Sequence, residues 1–172
     1  MAHPVTLVGS DDLAFRAANP LPVTGWGFDV AVVPTVTNGA YSAGDIVGDL
    51  LTFANVAPVA GATILVTGAF VNLKAAVTPA LTLVLFNADP SGTTKTDNAA
   101  YSLAATDSQK VVAVIPISTL YDHGTPNSYY AQGLSIPITC VAKDLYGLLI
   151  DGTGVTLTST SDLQIRLRGI GA

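Results

Sequence analysis

Residues Thr63–Leu73 read Thr-Ile-Leu-Val-Thr-Gly-Ala-Phe-Val-Asn-Leu, and the fold class follows from this kind of stretch. Its β-branched and aromatic side chains favour an extended strand, and Gly68 within it predicts a bulge or bend. Leu81–Phe86 continues with Leu-Thr-Leu-Val-Leu-Phe, a shorter apolar run. Residues 163–168 alternate apolar and polar side chains, as a strand with one buried face does. The pattern is that of β-strands separated by turns.

The composition extends this pattern to the whole chain. Among 172 residues there are 20 Thr, 19 Val, 16 Gly and 10 Pro, whereas all 12 acidic residues are Asp and only 4 residues are Lys. Thr and Val suit a pleated, half-buried surface, and Asp, Gly and Pro are residues of turns. Glu and Lys, which commonly form exposed helix surfaces, are absent or scarce. The composition predicts a chain that is nearly all strand and turn.

Further strands are predicted wherever a β-rich run lies between turn residues. They cover residues 30–37, 46–53, 110–117, 128–134, 136–141, 145–151 and 155–158, with a short candidate at 5–8. Asn38-Gly39 predicts a two-residue hairpin turn. Residues 99–104 form the one predicted helical turn, with Asp97 or Asn98 as its N-cap. Because helices that could cover an open sheet are missing, we predict an all-β, jelly-roll-like two-sheet sandwich with one short helix.

One domain is expected at this length, preceded by an arm. Residues 1–28 are interrupted by Pro and Gly and predict an extended N-terminal arm, whereas residues 29–172 form the β-sandwich domain. Trp26 either anchors the arm on a surface, such as a neighbour's, or caps the domain's own core. The candidate interface residues are Trp26, Phe28, Tyr129 and Tyr130. Because Tyr129 and Tyr130 are adjacent on a predicted strand, one of them should point away from the core.

The charge pattern argues against several classes of partner. The net charge is −5, and the seven basic residues are scattered along the chain. Nucleic-acid binders and proteins of anionic membrane surfaces normally show a basic stripe, so we expect neither partner. The sequence also lacks membrane and export signals. It has no apolar run near the roughly 18 residues that span a bilayer and no recognisable export signal, which predicts synthesis in the cytoplasm. With 11% charged residues, part of the surface is expected to be covered by a partner, most simply copies of the same chain.

The residues that carry chemistry are few and dispersed. Cys140 lies in an apolar run and is expected to be a buried thiol, while His123 lies in a turn-rich loop. Most Asp residues lie in turns, where the carboxylate usually bonds its own backbone. Asp45 with Asp49, or Asp89 with Asp97, offers loop carboxylates of the kind that bind calcium, but the spacing is not that of an EF-hand. We therefore expect no enzyme and no cofactor.

Two stretches together resemble a known group of proteins. Residues 35–48 read Thr-Val-Thr-Asn-Gly-Ala-Tyr-Ser-Ala-Gly-Asp-Ile-Val-Gly and lead into Leu-Leu-Thr-Phe-Ala-Asn at 50–55. Residues 83–90 read Leu-Val-Leu-Phe-Asn-Ala-Asp-Pro, followed by Thr-Asp-Asn-Ala-Ala at 96–100. These segments resemble virion structural proteins of tailed bacteriophages, in particular jelly-roll capsid cement (decoration) proteins.

The resemblance implies a function in binding. A cement protein binds the outer surface of the head and stabilises the shell by bridging capsomers. The implied partners are the major capsid protein and the chain itself, as a homodimer or homotrimer, and the implied location is the capsid surface of the virion. The alternative is a receptor- or glycan-binding module of a tail or fibre, with a saccharide site that uses Tyr121, Tyr129 or Tyr130. A hydrolase is the third hypothesis, but the sequence nominates no set of acid, base and nucleophile.

Overall fold

The computed structural model describes residues 26–171. The strands are β1 (Gly27–Val32), β2 (Gly39–Ala40), β3 (Leu51–Phe53), β4 (Thr63–Leu73), β5 (Leu81–Phe86), β6 (Val111–Ile117), β7 (Thr119–Asp122), β8 (Asn127–Thr139), β9 (Leu145–Asp151), β10 (Thr156–Leu157) and β11 (Leu163–Gly171). A 3₁₀ helix spans Ala105–Lys110. In this described part of the chain, no helix has the length and apolar character needed to cross a membrane. The all-β class predicted from the composition is confirmed.

The strands form two main antiparallel sheets that pack face to face. One has the order β1-β11-β4-β8-β7 and the other β3-β9-β5-β6, while β2 and β10 form a separate short pair. β5 pairs with β6, β4 with β8, β3 with β9 and β1 with β11, so four strands run out and four return beside them in reverse order. Rolling this double ribbon adds the pairs β11–β4 and β9–β5. The pairing is that of a jelly roll, as predicted.

The core lies between the two sheets. Alternate residues of β4 and β11, among them Ile64, Ile165 and Leu167, are fully buried, and Leu83 and Leu85 of the facing sheet meet them. Burying a side chain of this size contributes roughly 1.5–3 kcal/mol. The alternation at residues 163–168 therefore fixes which face of β11 turns inward.

Several predicted strands have the bounds that the sequence indicated. Thr63–Leu73, Leu81–Phe86 and Leu145–Asp151 are confirmed from end to end. The register between β4 and β8 shifts from Val66 to Gly68, which confirms the predicted irregularity at Gly68.

Other local predictions were wrong. Asn38-Gly39 does not form a hairpin turn, because Gly39–Ala40 pairs with the distant Thr156–Leu157. Residues 99–104 are not helical, and Ala100 instead forms a β-bridge with Asp45, while the helix begins at Ala105. The bounds of three predicted strands also differ from the structure. The predicted strands 128–134 and 136–141 are one strand, β8, and the strand predicted at 46–53 begins only at Leu51. The candidate strand at 5–8 lies outside the described residues, as does the predicted arm up to residue 25.

The outer surface of the four-stranded sheet carries a second layer of apolar side chains. Val84, Phe86 and Leu148 point away from the main core and are buried under Ile46, with Tyr101 packed beside them. Ile46 forms a β-bridge with Ile150 at the start of this cover. Segments 44–50 and 98–104 therefore cover part of the four-stranded sheet. We call these two segments the cover.

Candidate interaction face

Side chains of β1, β11, β4 and β8 that point away from the core form the candidate site. Asp29, Arg166, Arg168, Phe70 and Tyr130 occupy successive strands of the five-stranded sheet, and we call this cluster the outer face. The residues beside them in sequence, such as Phe28, Leu167 and Tyr129, are buried, which shows that these five side chains point outward. The period-two alternation of a strand thus places these residues on one surface.

Two arginines on β11 converge on a single carboxylate of β1. Arg168 Nε lies 2.9 Å and Arg166 Nη1 lies 3.3 Å from Asp29 Oδ2. Asp29 and Arg168 are direct partners in the β1–β11 register, so backbone pairing brings these groups together. All three side chains are partly exposed, between 36% and 45%. Exposed ion pairs of this kind contribute little stability, roughly 0–1 kcal/mol.

The aromatic half of the outer face lies on β4 and β8. Phe70 and Tyr130 are direct cross-strand partners, with ring centroids 6.4 Å apart. The guanidinium carbon of Arg168 lies 4.6 Å from the centroid of the Phe70 ring, a cation–π arrangement. The outer face therefore continues across four strands from a carboxylate, through two guanidinium groups, to two aromatic rings.

The structure separates the two adjacent tyrosines as predicted. Tyr129 is 3% exposed and its hydroxyl donates to the backbone carbonyl of Val77 at 3.0 Å, so it cannot contact a partner. Burial raises the pKa of Tyr129, and the nearby Asp122 adds to this effect. Tyr130 points outward beside Phe70. One of the two remains a candidate interface residue.

Trp26 and Phe28 belong to the sandwich itself. Phe28 is a core residue of β1, which removes it from the candidate interface and from the predicted arm. Trp26 donates from its indole Nε1 to the carbonyl of Val56 at 3.3 Å while 44% of it stays exposed. Of the two interpretations of Trp26, this contact favours a cap on the domain's own core.

Several carboxylates serve the turns, as the sequence indicated. Asp162 accepts from the backbone N–H of Thr158 and Ser159, and Asp45 accepts from the N–H of Ser42. Asp151 Oδ1 accepts from the N–H of Thr153. These short-range hydrogen bonds fix loop conformations.

Two further carboxylates, Asp97 and Asp107, connect distant segments, which the sequence did not indicate. Asp97 Oδ2 accepts from Thr37 N and Thr37 Oγ1, both at 2.6 Å, and from the Tyr41 hydroxyl at 3.0 Å. Burial, with the hydrogen bond to Asp97, raises the pKa of Tyr41 well above its usual range. Asp107 is buried and accepts from Gly92 N and Thr93 Oγ1.

The pairs considered for calcium have other roles in the structure. Asp49 accepts from the backbone N–H of Asp97, and Asp89 forms an ion pair with Lys95 at 2.9 Å. Within residues 26–171, no group of three His, Cys, Asp or Glu side chains is arranged to hold a metal ion.

The remaining sequence candidates lie apart from the outer face. Cys140 is fully buried, and burial raises the pKa of its thiol, in agreement with the expected structural role. His123 lies in the loop between β7 and β8, with Nε2 at 3.1 Å from Ser128 Oγ. Its ring packs against Tyr121 at a centroid distance of 4.7 Å, and Tyr121 is 60% exposed.

A groove of about 270 Å³ opens at one end of the five-stranded sheet. Val33, Leu73 and Leu163 line it together with Lys74 and Asp162. Lys74 Nζ donates to Ser161 Oγ, and the Asp162 carboxylate accepts the turn hydrogen bonds described above. Its charged groups therefore have structural partners, and the outer face remains the stronger candidate site.

Comparison of the chain with protein-family models, with curated proteins and with solved structures found no match. Of the outer face, the sequence indicated only Tyr130. The cluster itself was missed because its residues are far apart in the chain, with Arg168 and Asp29 separated by 139 positions. The alternation of residues 163–168 was the available signal, since it placed both arginines on one side of a strand.

Proposed function

We propose that the protein is a capsid decoration (cement) protein that binds the outer surface of a phage head and stabilises the shell by bridging capsomers. The observation that carries the proposal is the outer face itself, an arginine and aromatic cluster displayed across four paired strands of a rigid jelly roll. Arg and Tyr are enriched at the energetically dominant positions of protein interfaces. The partners are then the major capsid protein and further copies of this chain, and the location is the virion.

A bridging ligand of this kind acts by mass action. A protein that binds the assembled shell and not its separated subunits stabilises the shell by an amount that grows with the ratio of its free concentration to its Kd. Such a role requires a rigid protein and a surface that binds the shell. The jelly roll supplies the first, because its strands are paired over two sheets around a continuous core.

Co-sedimentation of the purified protein with isolated heads and, separately, with isolated tails tests the proposal. We expect saturable binding to expanded heads alone, and a copy number that matches a symmetry axis of the shell. Tail binding, or no binding to either particle, would contradict the decoration role.

The alternative function, a receptor- or glycan-binding module of a tail or fibre, has its own support in one observation. Tyr121 at the end of β7 packs against His123 in the following loop, and the exposed Tyr121 ring can stack on a sugar. Tyr121→Ala in the full chain should abolish binding to host cells or to a glycan array if this function holds. Unchanged binding by that variant would remove its support.

A further inference from the structure

The outer face carries a charge opposite to that of the chain. Its two arginines and one aspartate give it a net charge of +1, whereas the whole chain has a net charge of −5. The other outward positions of the four described strands β1, β11, β4 and β8 carry no charged side chain, since they are occupied by residues such as Gln164, Thr67 and Gln132. The face is therefore a local cationic patch on an acidic protein.

The two guanidinium groups are held in place with most of their donors available. A guanidinium has five N–H donors, and Asp29 accepts one hydrogen bond from Arg166 and one from Arg168. The Nε of Arg166 is buried and has no acceptor among the described residues, so the donors open to a ligand are the terminal N–H groups that Asp29 leaves free. Arg168 is further positioned by the Phe70 ring below it. Because the groups are already ordered, a ligand that binds them has little additional side-chain entropy to overcome.

The geometry distinguishes between classes of ligand. Arg168 already lies over the Phe70 ring and so blocks the stacking of a sugar on that face of Phe70. A nucleic acid would need a basic stripe that follows its phosphates, but Arg166 and Arg168 are the only basic residues on the described strands of this face. Carboxylates match the planar N–H fork of arginine in paired hydrogen bonds, and Tyr130 adds a contact surface beside them.

We propose that the outer face binds a protein partner through Asp or Glu carboxylates of that partner, received by Arg166 and Arg168, with Tyr130 packed at the margin. The identity of the partner rests on the proposed function, under which it is an acidic site on the capsid shell. In this arrangement Asp29 has two effects, because it orders the arginines and also occupies donors that the partner needs. Removing its charge therefore strengthens binding, whereas removing the arginines weakens it.

The first experiment tests the chemistry without any phage component. The full chain, labelled with ¹⁵N, is titrated in 50 mM NaCl with the blocked peptide Glu-Leu-Glu-Leu-Glu and, separately, with its Gln-Leu-Gln-Leu-Gln counterpart. We expect the Glu peptide to shift the side-chain Nε–H signals of Arg166 and Arg168, with weaker shifts at 300 mM NaCl because salt screens the charges. Equal shifts with both peptides, or shifts elsewhere only, would overturn carboxylate recognition.

The second experiment tests the face on the partner. Binding of the full chain to isolated heads is compared for Arg166→Gln/Arg168→Gln, for Asp29→Asn, and for the control Lys74→Gln/Lys143→Gln, which removes the same charge elsewhere. We expect the arginine variant to bind at least about tenfold more weakly, Asp29→Asn to bind about two- to threefold more tightly, and the control to match the natural chain.

The pattern of results separates the two proposals. Head binding that is unaffected in the arginine variant would place the capsid contact elsewhere and overturn the inference while keeping the decoration role. Peptide recognition by the arginines without head binding would keep the carboxylate site and overturn the decoration role. Weaker binding in both the Asp29 and arginine variants would overturn the inference, because it would indicate only a structural role for the cluster. The thermal unfolding midpoint of each variant verifies that the variant is folded.

Discussion

Asp97 connects the cover of the four-stranded sheet to the segment that leads to β2. Its carboxylate accepts hydrogen bonds from Thr37, Tyr41 and the backbone N–H of Gly48, and its own N–H donates to Asp49. The sequence suggested an N-cap at this position. The carboxylate does satisfy backbone donors, as a cap would, but the donors belong to a segment far away in the chain.

We predict that Asp97→Asn lowers the free energy of unfolding by about 2 kcal/mol, since hydrogen bonds to a charged acceptor are worth more than neutral ones. Urea denaturation, monitored by the fluorescence of the single Trp, measures this change in the free energy of unfolding. Asp122→Asn is the matched control, because the exposed Asp122 carboxylate accepts only the local N–H of Gly124 among the described hydrogen bonds. Equal losses in both variants would contradict the role given to Asp97.

Asp107 makes stability depend on pH in the acid range. The hydrogen bond from Lys110 is the main reason that the pKa of Asp107 falls from 3.8 to about 2, and bonds from Thr93 and Gly92 add to it against the opposing effect of burial. Because the folded pKa is the lower one, the unfolded chain binds more protons between these values. The stabilisation by Asp107 is complete above the unfolded pKa and is lost as pH falls through the folded pKa.

We therefore predict that the natural chain is more stable than Asp107→Asn at pH 5 to 7, by an amount that does not vary in that range. The difference should shrink as the pH is lowered from about 4 towards 2. Urea midpoints of both proteins across this range give the measurement. A difference that is unchanged at the acid end would show that the Asp107 charge is not involved.

At the level of elements, the pairing of β1 with β11 depends on a glycine. Gly169 lies where any Cβ would overlap the Phe28 ring and the carbonyl oxygen of Leu65. The β11–β4 register also shifts between Arg168 and Gly169, so the backbone is irregular at this point. Phe28 can be buried because position 169 has no side chain.

Gly169→Ala should therefore lower the free energy of unfolding by about 3 kcal/mol or more, because neither the backbone oxygen nor the buried ring can easily move. Gly27→Ala in the adjoining strand is the control, since its Cβ would meet only Gly169 O at 3.9 Å. We expect the control to stay within about 0.5 kcal/mol of the natural chain. Chemical denaturation measures the free energy of unfolding of both variants. Comparable destabilisation of the two would refute the steric argument.

Elements were predictable from the sequence where a single strand carried its own pattern. Thr63–Leu73 and Leu145–Asp151 have β-rich interiors, and their bounds agree with the structure. The strand β7 was missed, since Thr119–Asp122 is exposed along its whole length and shows no alternation. The helical turn at 99–104 failed because Ala100 pairs with Asp45, a contact that local propensity does not contain.

For the whole molecule, the boundary between arm and domain has a measurable consequence. A chain that starts at Trp26 keeps β1 complete, whereas one that starts at Asp29 loses Phe28 from the core. We predict that the shorter chain is less stable than the longer one by about 3–5 kcal/mol, the usual cost of losing a buried aromatic side chain. Thermal and urea unfolding, followed by far-UV circular dichroism, compare the two. Equal stability would mean that Phe28 contributes little to the core.

The sequence by itself determined that this chain is all-β and folds as a sandwich. Strand formation follows from alternation and β-branched side chains, which act between near neighbours, and the scarcity of helix-forming residues excludes other layers. The sequence also determined that Tyr129 and Tyr130 lie on opposite faces, because that follows from the geometry of one strand.

Only the tertiary structure decided which side chains share a surface. Asp29 meets Arg168, and Phe70 meets Tyr130, because the jelly-roll pairing aligns strands that are distant in the chain. It likewise placed Phe28 in the core and Asp97 between two loops. Such contacts depend on strand order and register, and these are set by how the two sheets bury their apolar faces together rather than by any local pattern.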